Sequence, residues 1–137
     1  MVTGLSLDDL FAELRHRKWT LYLFGRPAAP DLYAATFRWP ACTDVLIIRD
    51  ERRATAYRTP SFPGTDVFRP SVVSWQYGAE PLWTLRAVLT IGAPGQADAP
   101  FQVLAPAPGS GVPLEMGQPV MIRPTGLVQD PTPKTAR

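Results

Sequence analysis

The stretch Ser71–Ile91, S-V-V-S-W-Q-Y-G-A-E-P-L-W-T-L-R-A-V-L-T-I, constrains the fold of this chain more than any other. Apolar and polar residues alternate from Val73 to Tyr77 and again from Trp83 to Ile91. Val73, Trp75 and Tyr77 fall on one side, as do Trp83, Leu85, Ala87, Leu89 and Ile91; Ser74, Gln76, Thr84, Arg86 and Thr90 fall on the other. A period of two is that of a half-buried strand. Written twice around Gly78-Ala79-Glu80-Pro81, it predicts the central hairpin of an antiparallel sheet. The pattern selects an odd loop, with Tyr77 opposite Trp83, Trp75 opposite Leu85 and Val73 opposite Ala87. A one-residue slip would carry the apolar set to the other face.

The rest of the chain supplies partners for that sheet. Ser6 and Asp9 have the spacing of a capping box, with Leu5 and Leu10 placed as a hydrophobic staple. Asp8 and Asp9 then open, and Arg15, His16, Arg17 and Lys18 close, a helix over 6–17 whose charges oppose its dipole. Leu7, Leu10, Phe11 and Leu14 give it one apolar stripe. Four further strands are predicted within 19–60: W-T-L-Y-L-F-G, L-Y-A-A-T-F-R-W, D-V-L-I-I-R-D and R-A-T-A-Y-R-T. A turn centred on Glu51-Arg52 would set Ile47 opposite Ala56, Leu46 opposite Tyr57 and Ile48 opposite Thr55. Beyond Ile91, short extended segments are expected at 101–104 and 119–123, the latter at a sheet edge because Pro119 and Pro124 bracket it.

The expected fold is therefore α+β. An N-terminal amphipathic helix packs on an antiparallel meander of about six strands spanning 19–91, in a single domain over 1–124. A Pro-rich tail over 125–137 has nothing to bury and is expected to be flexible. The length of 137 residues suits one core. The order of helix then meander resembles cystatin-like and secretion-chaperone-like α+β folds, a likeness of architecture that implies no function.

Composition narrows the class. One cysteine, Cys42, precludes an internal disulfide and fits a reducing compartment. The first residues lack the basic and apolar regions of a signal peptide, and no apolar run reaches the roughly 18 residues of a membrane span. A soluble cytoplasmic protein is expected, with no membrane partner. Twelve arginines against two lysines, no asparagine, and sixteen prolines match a GC-rich bacterial genome, as in an actinobacterium. A formal charge of +2 falls short of the dense basic patch that marks nucleic-acid binders.

The sequence offers no candidate catalytic, cofactor-binding or metal-binding residue. His16, the only histidine, reads as a helix-terminal residue. Asp44 beside Cys42 would raise the thiol pKa rather than activate it. One Cys and one His do not make a structural zinc site, and no Gly-rich loop stands between a strand and a helix. Enzymatic activity is not expected.

The strand arginines are more informative. Arg38, Arg58, Gln76, Thr84 and Arg86 are expected on the polar side of the sheet as a candidate interaction face. Phe62, Phe68 and Arg69 are candidate contacts from the Pro-rich 60–70 loop, where Phe62, Val67 and Phe68 should tuck against the sheet edge. Trp19, Trp39, Trp75 and Trp83 follow the core phase. These features suggest a non-enzymatic bacterial binding, adaptor or assembly protein. It would act through a sheet face, the 60–70 loop or the tail, on a protein partner or on itself. The alternative is a pocket between helix and curved sheet for a small molecule or a reaction. Weak electrostatic nucleic-acid binding ranks last, because the aromatics fall on the core side rather than beside the arginines.

Overall fold

A computed structural model describes residues 6–122; the tail expected to be flexible lies outside the described residues. The fold is α+β: two helices with a six-stranded antiparallel sheet. Helix α1 (Leu7–His16) precedes strands β1 (Thr20–Arg26), β2 (Ala29–Arg38), β3 (Cys42–Ile48), β4 (Ala54–Pro60) and β5 (Trp75–Ala79). Helix α2 (Pro81–Thr90) and strand β6 (Val120–Ile122) follow. The sheet order is β5-β4-β3-β2-β1-β6, so the first five strands form a meander and the last returns to pair with β1.

The start of α1 matches its sequence signature. The Ser6 hydroxyl accepts from Asp9 N–H, and the Asp9 carboxylate accepts from Ser6 N–H at 3.2 Å. Arg17 caps the other end and pairs with Glu13 one turn back.

The predicted hairpin of 71–91 is corrected. Its first arm is the edge strand β5, but its second arm is α2. Pro81 occupies the first turn of α2, where its missing N–H costs nothing and its fixed φ suits the helix. It also holds the preceding Glu80 extended, at φ −63° and ψ 155°. Thr84 seals the turn by donating both its N–H and its hydroxyl to Glu80 C=O. Pro81, Leu85 and Val88 are buried at helical spacing, whereas Trp83 is exposed. Leu85 and Leu89 fit a period of two as well as one near 3.6, so alternation alone did not separate the two forms. The predicted pairs Trp75–Leu85 and Val73–Ala87 do not exist; Trp75 lies opposite Arg58.

A second correction concerns the β3–β4 turn. The Asp50 carboxylate accepts from the N–H groups of both Arg52 and Arg53. This closes the turn on Asp50 and shifts the register by one residue. Ile48 pairs with Ala54, Ile47 with Thr55, Leu46 with Ala56 and Val45 with Tyr57. The same shift sets Asp44 opposite Arg58. At the β1–β2 turn, a bulge falls at Gly25, whose φ is +94°. A Cβ there would lie 2.8 Å from the Asp31 backbone N, so the turn requires glycine.

Both faces of the sheet are covered, and all seven residues of β3 are buried. Under the helices lie Leu10, Leu14, Trp19, Leu21, Leu46, Leu85 and Val88. Under the irregular segments after β4 and after α2 lie Phe24, Val45, Ile47, Tyr57, Phe68, Val73 and Val112. Of the 101–104 segment expected to be extended, only Leu104 bridges to Val73; the 119–123 segment supplies β6 at the edge.

Candidate functional site

The residues expected to share a polar sheet face do not share one. Arg58 is buried against Asp44, with Nε–Oδ1 at 2.6 Å and Nη2–Oδ2 at 3.0 Å. Its remaining nitrogen donates to Gly92 C=O at the end of α2, and its guanidinium lies 5.7 Å from the Trp39 ring centroid. Trp39 Nε1 donates to the second Asp44 oxygen at 2.9 Å. Burial acts to lower the Arg58 pKa, but the Asp44 hydrogen bond and charge outweigh it and leave it raised. Thr84 is fully buried in α2. Gln76 uses both ends of its amide on the chain itself, donating to Ala105 C=O and accepting from Ala107 N–H. Only Arg38 and Arg86 remain exposed.

The loop candidates divide in the same way. Phe68 is buried, packed edge-to-face on Tyr22 and Phe24. Arg69 clamps a neighbouring segment through the carbonyls of Val112, Pro113 and Gly117, at 3.1, 3.0 and 2.8 Å. Phe62 stands exposed. Cys42 is buried at the start of β3; burial pushes its thiol pKa up, opposed by the charge of Arg58 and reinforced by that of Asp44. Among the described residues no group of three or more metal-ligating side chains gathers, and no helix is long and apolar enough to cross a membrane. The space between α1 and the sheet, where a pocket was the alternative, is filled by Leu10, Leu14, Trp19 and Leu21.

An open concave surface lies between the two helices. One part, of 570 Å³, is lined by Ala12, Leu82, Leu85 and Leu89 with Asp9, Glu13, Arg17 and Arg86. The next, of 360 Å³, is lined by Leu7, Leu10, Pro81 and Leu82 with Ser6, Asp8, Glu51 and Glu80. Leu82 belongs to both, so they form one cleft. The beginnings of α1 and α2 line the same end, so the helices run in the same direction. That end is acidic, with Asp8 from α1, Glu51 from the β3–β4 turn and Glu80 before α2. Each of the two helical acids has a local reason to be there, because a helix N-terminus favours negative charge. Glu51 has no such reason. Five acids and two arginines line the whole cleft, on a chain whose overall charge is +2.

Beside the cleft, Trp83 is 53% exposed, and the Arg86 guanidinium lies 5.4 Å from its ring centroid. Sequence reasoning placed Trp83 in the core and missed Leu82, Leu89, Glu51 and Glu80. The available signal was Pro81 at a helical first turn, with Leu82, Leu85 and Leu89 at spacings of three and four. Compared with protein-family models, with curated proteins and with solved structures, the chain matches none.

Proposed function

We propose that this protein is a non-enzymatic binding or assembly module whose docking site is the cleft between α1 and α2. The observation that carries the reading is an apolar floor of leucines flanked by an excess of acidic side chains, open to solvent along two parallel helices. A groove of this kind suits an amphipathic helix, which lays its apolar stripe on the floor. The acids select a partner segment with basic residues at one end. The partner's own helix dipole favours those residues at its C-terminal end. That end then lies over Asp8, Glu51 and Glu80, and the partner runs antiparallel to α1 and α2.

A fluorescence-anisotropy titration tests this with a labelled amphipathic peptide bearing leucines at helical spacing and two or three C-terminal lysines. Binding is expected in the micromolar range and to weaken with added salt. Leu82→Asp should weaken it more than about tenfold, a loss of about 1.4 kcal/mol, without changing the melting temperature. Equal binding to wild type and to the Leu82 variant would overturn the assignment, as would a failure to bind at low salt.

A further inference from the structure

We propose that the occupant of the cleft is a second copy of this chain, apposed helix layer to helix layer about a two-fold axis. The inference rests on the docking reading above and commits it to one partner. Two observations lead to it. The first is Trp83, an exposed indole on the same helix as the cleft-lining Leu82 and Leu89, with Arg86 both over its ring and on the cleft wall. Tryptophan and arginine are the side chains that most often anchor an interface once water is excluded from them. Here the anchor and a receiving cleft sit on one layer of one chain.

The second observation is the layout of charge. The layer is acidic where the helices begin, at Asp8, Glu51 and Glu80, and basic where α1 ends, at Arg15, Arg17 and Lys18. A two-fold axis perpendicular to the helices reverses their direction in the partner. Each acidic end then meets the other copy's basic end, and the helix dipoles run antiparallel. Trp83 of each copy comes over the leucines of the other, so one contact made twice satisfies both anchors and both clefts. A parallel arrangement would set acid on acid.

The size of the layer sets the strength. Each helix is ten residues long. At about 1.5 Å per residue and about 10 Å across, the pair presents on the order of 300 Å² in projection. That is well below the roughly 800 Å² per partner of a standard stable interface, so the dimer is weak and reversible.

Sedimentation equilibrium on the full chain, from about 1 to about 300 µM, tests the proposal. A monomer–dimer equilibrium with a micromolar midpoint is expected, weakened at least about tenfold between low and high salt. Trp83→Ala should abolish it while leaving the melting temperature unchanged. A charge swap examines the geometry. The variant Glu51→Arg/Glu80→Arg and the variant Arg17→Glu/Arg86→Glu should each be monomeric, and an equimolar mixture of the two should dimerise. A wild type that stays monomeric overturns the proposal, and so does a dimer that survives both charge variants. A monomer that still takes up the basic amphipathic peptide defeats this inference and leaves the docking reading standing. A monomer that binds no such peptide defeats both.

Discussion

Arg58, Arg49 and Arg69 direct their guanidinium groups at acceptors of the protein rather than at water. Arg58 meets the Asp44 carboxylate, Arg49 meets the carbonyls of Gly109 and Gly111, and Arg69 meets three carbonyls of the 112–117 segment. The planar five-donor fork of arginine suits several acceptors at fixed angles, where a lysine offers a point charge. The pair Asp44–Arg58 is the most consequential because both side chains are almost wholly removed from water. Removing one partner strands the other charge. Arg58→Met is expected to cost about 3–5 kcal/mol in urea unfolding. The double variant Asp44→Leu/Arg58→Met should recover part of that loss, because it leaves no unpaired buried charge. A double variant no more stable than Arg58→Met alone would show that the pair contributes through its other contacts, to Trp39 and Gly92.

At the scale of elements, the segments after β4 and after α2 replace a second helical layer. They are rich in proline, which offers no N–H, so they cannot tie themselves together as strands do. Side chains supply the missing donors: Tyr57 and Arg69 to backbone carbonyls, Thr55 to Ser110 C=O, and Gln76 to Ala105. Arg69→Lys keeps the charge but cannot span Val112, Pro113 and Gly117 together. We expect it to lose about 1–3 kcal/mol of stability. Limited proteolysis read by mass spectrometry should show faster cleavage within 105–118, with β3 and β4 still protected. Unchanged cleavage would mean that burial of Val112 and Phe68 holds the segment without the clamp. The opposite fates of α1 and α2 in the sequence also belong to this scale. Helix α1 has an apolar stripe on one side, a capping box and charges graded from acid to base, all pointing to one form. Helix α2 has leucines whose spacing suits two forms, and its only unambiguous marker is Pro81.

The whole molecule is a sheet enclosed on both sides, which decides how stability responds to pH. The buried Tyr57 hydroxyl donates to Val67 C=O, and burial pushes its pKa above the ordinary value. Its contribution is fully present below the unfolded tyrosine pKa of about 10 and is lost as pH rises beyond it. Asp50 behaves oppositely. The backbone N–H of Arg52, then the side chain of Arg53, hold its carboxyl below the usual range. Its contribution is present above the unfolded pKa of about 4 and fades as pH falls through the folded one. Melting temperature against pH should therefore show a plateau between these limits and a fall on each side. Tyr57→Phe should cost about 1 kcal/mol of stability on the plateau, lowering the melting temperature there, and flatten the alkaline arm. An alkaline arm unchanged in that variant would assign the loss to another group.

The chain's own pattern determined a helix within 6–17, four strands between 19 and 60, and the edge position of the strand at 120–122. These are local matters: a cap, a dipole, a period of two, a proline that cannot donate. Three things were decided only by tertiary structure. Whether 81–90 is strand or helix depended on an uncovered area of β3, β4 and β5 that α1 alone is too short to fill. Whether Arg58 faces water depended on what covers its side of the sheet: Asp44 lies opposite it on β3, and the Gly92 carbonyl beyond α2 closes over it. The cleft exists because two helices far apart in sequence lie side by side, bringing Asp8, Glu51 and Glu80 together across more than seventy positions. Periodicity shows which residues want to leave water, but what they meet when they do depends on the packing of the whole chain.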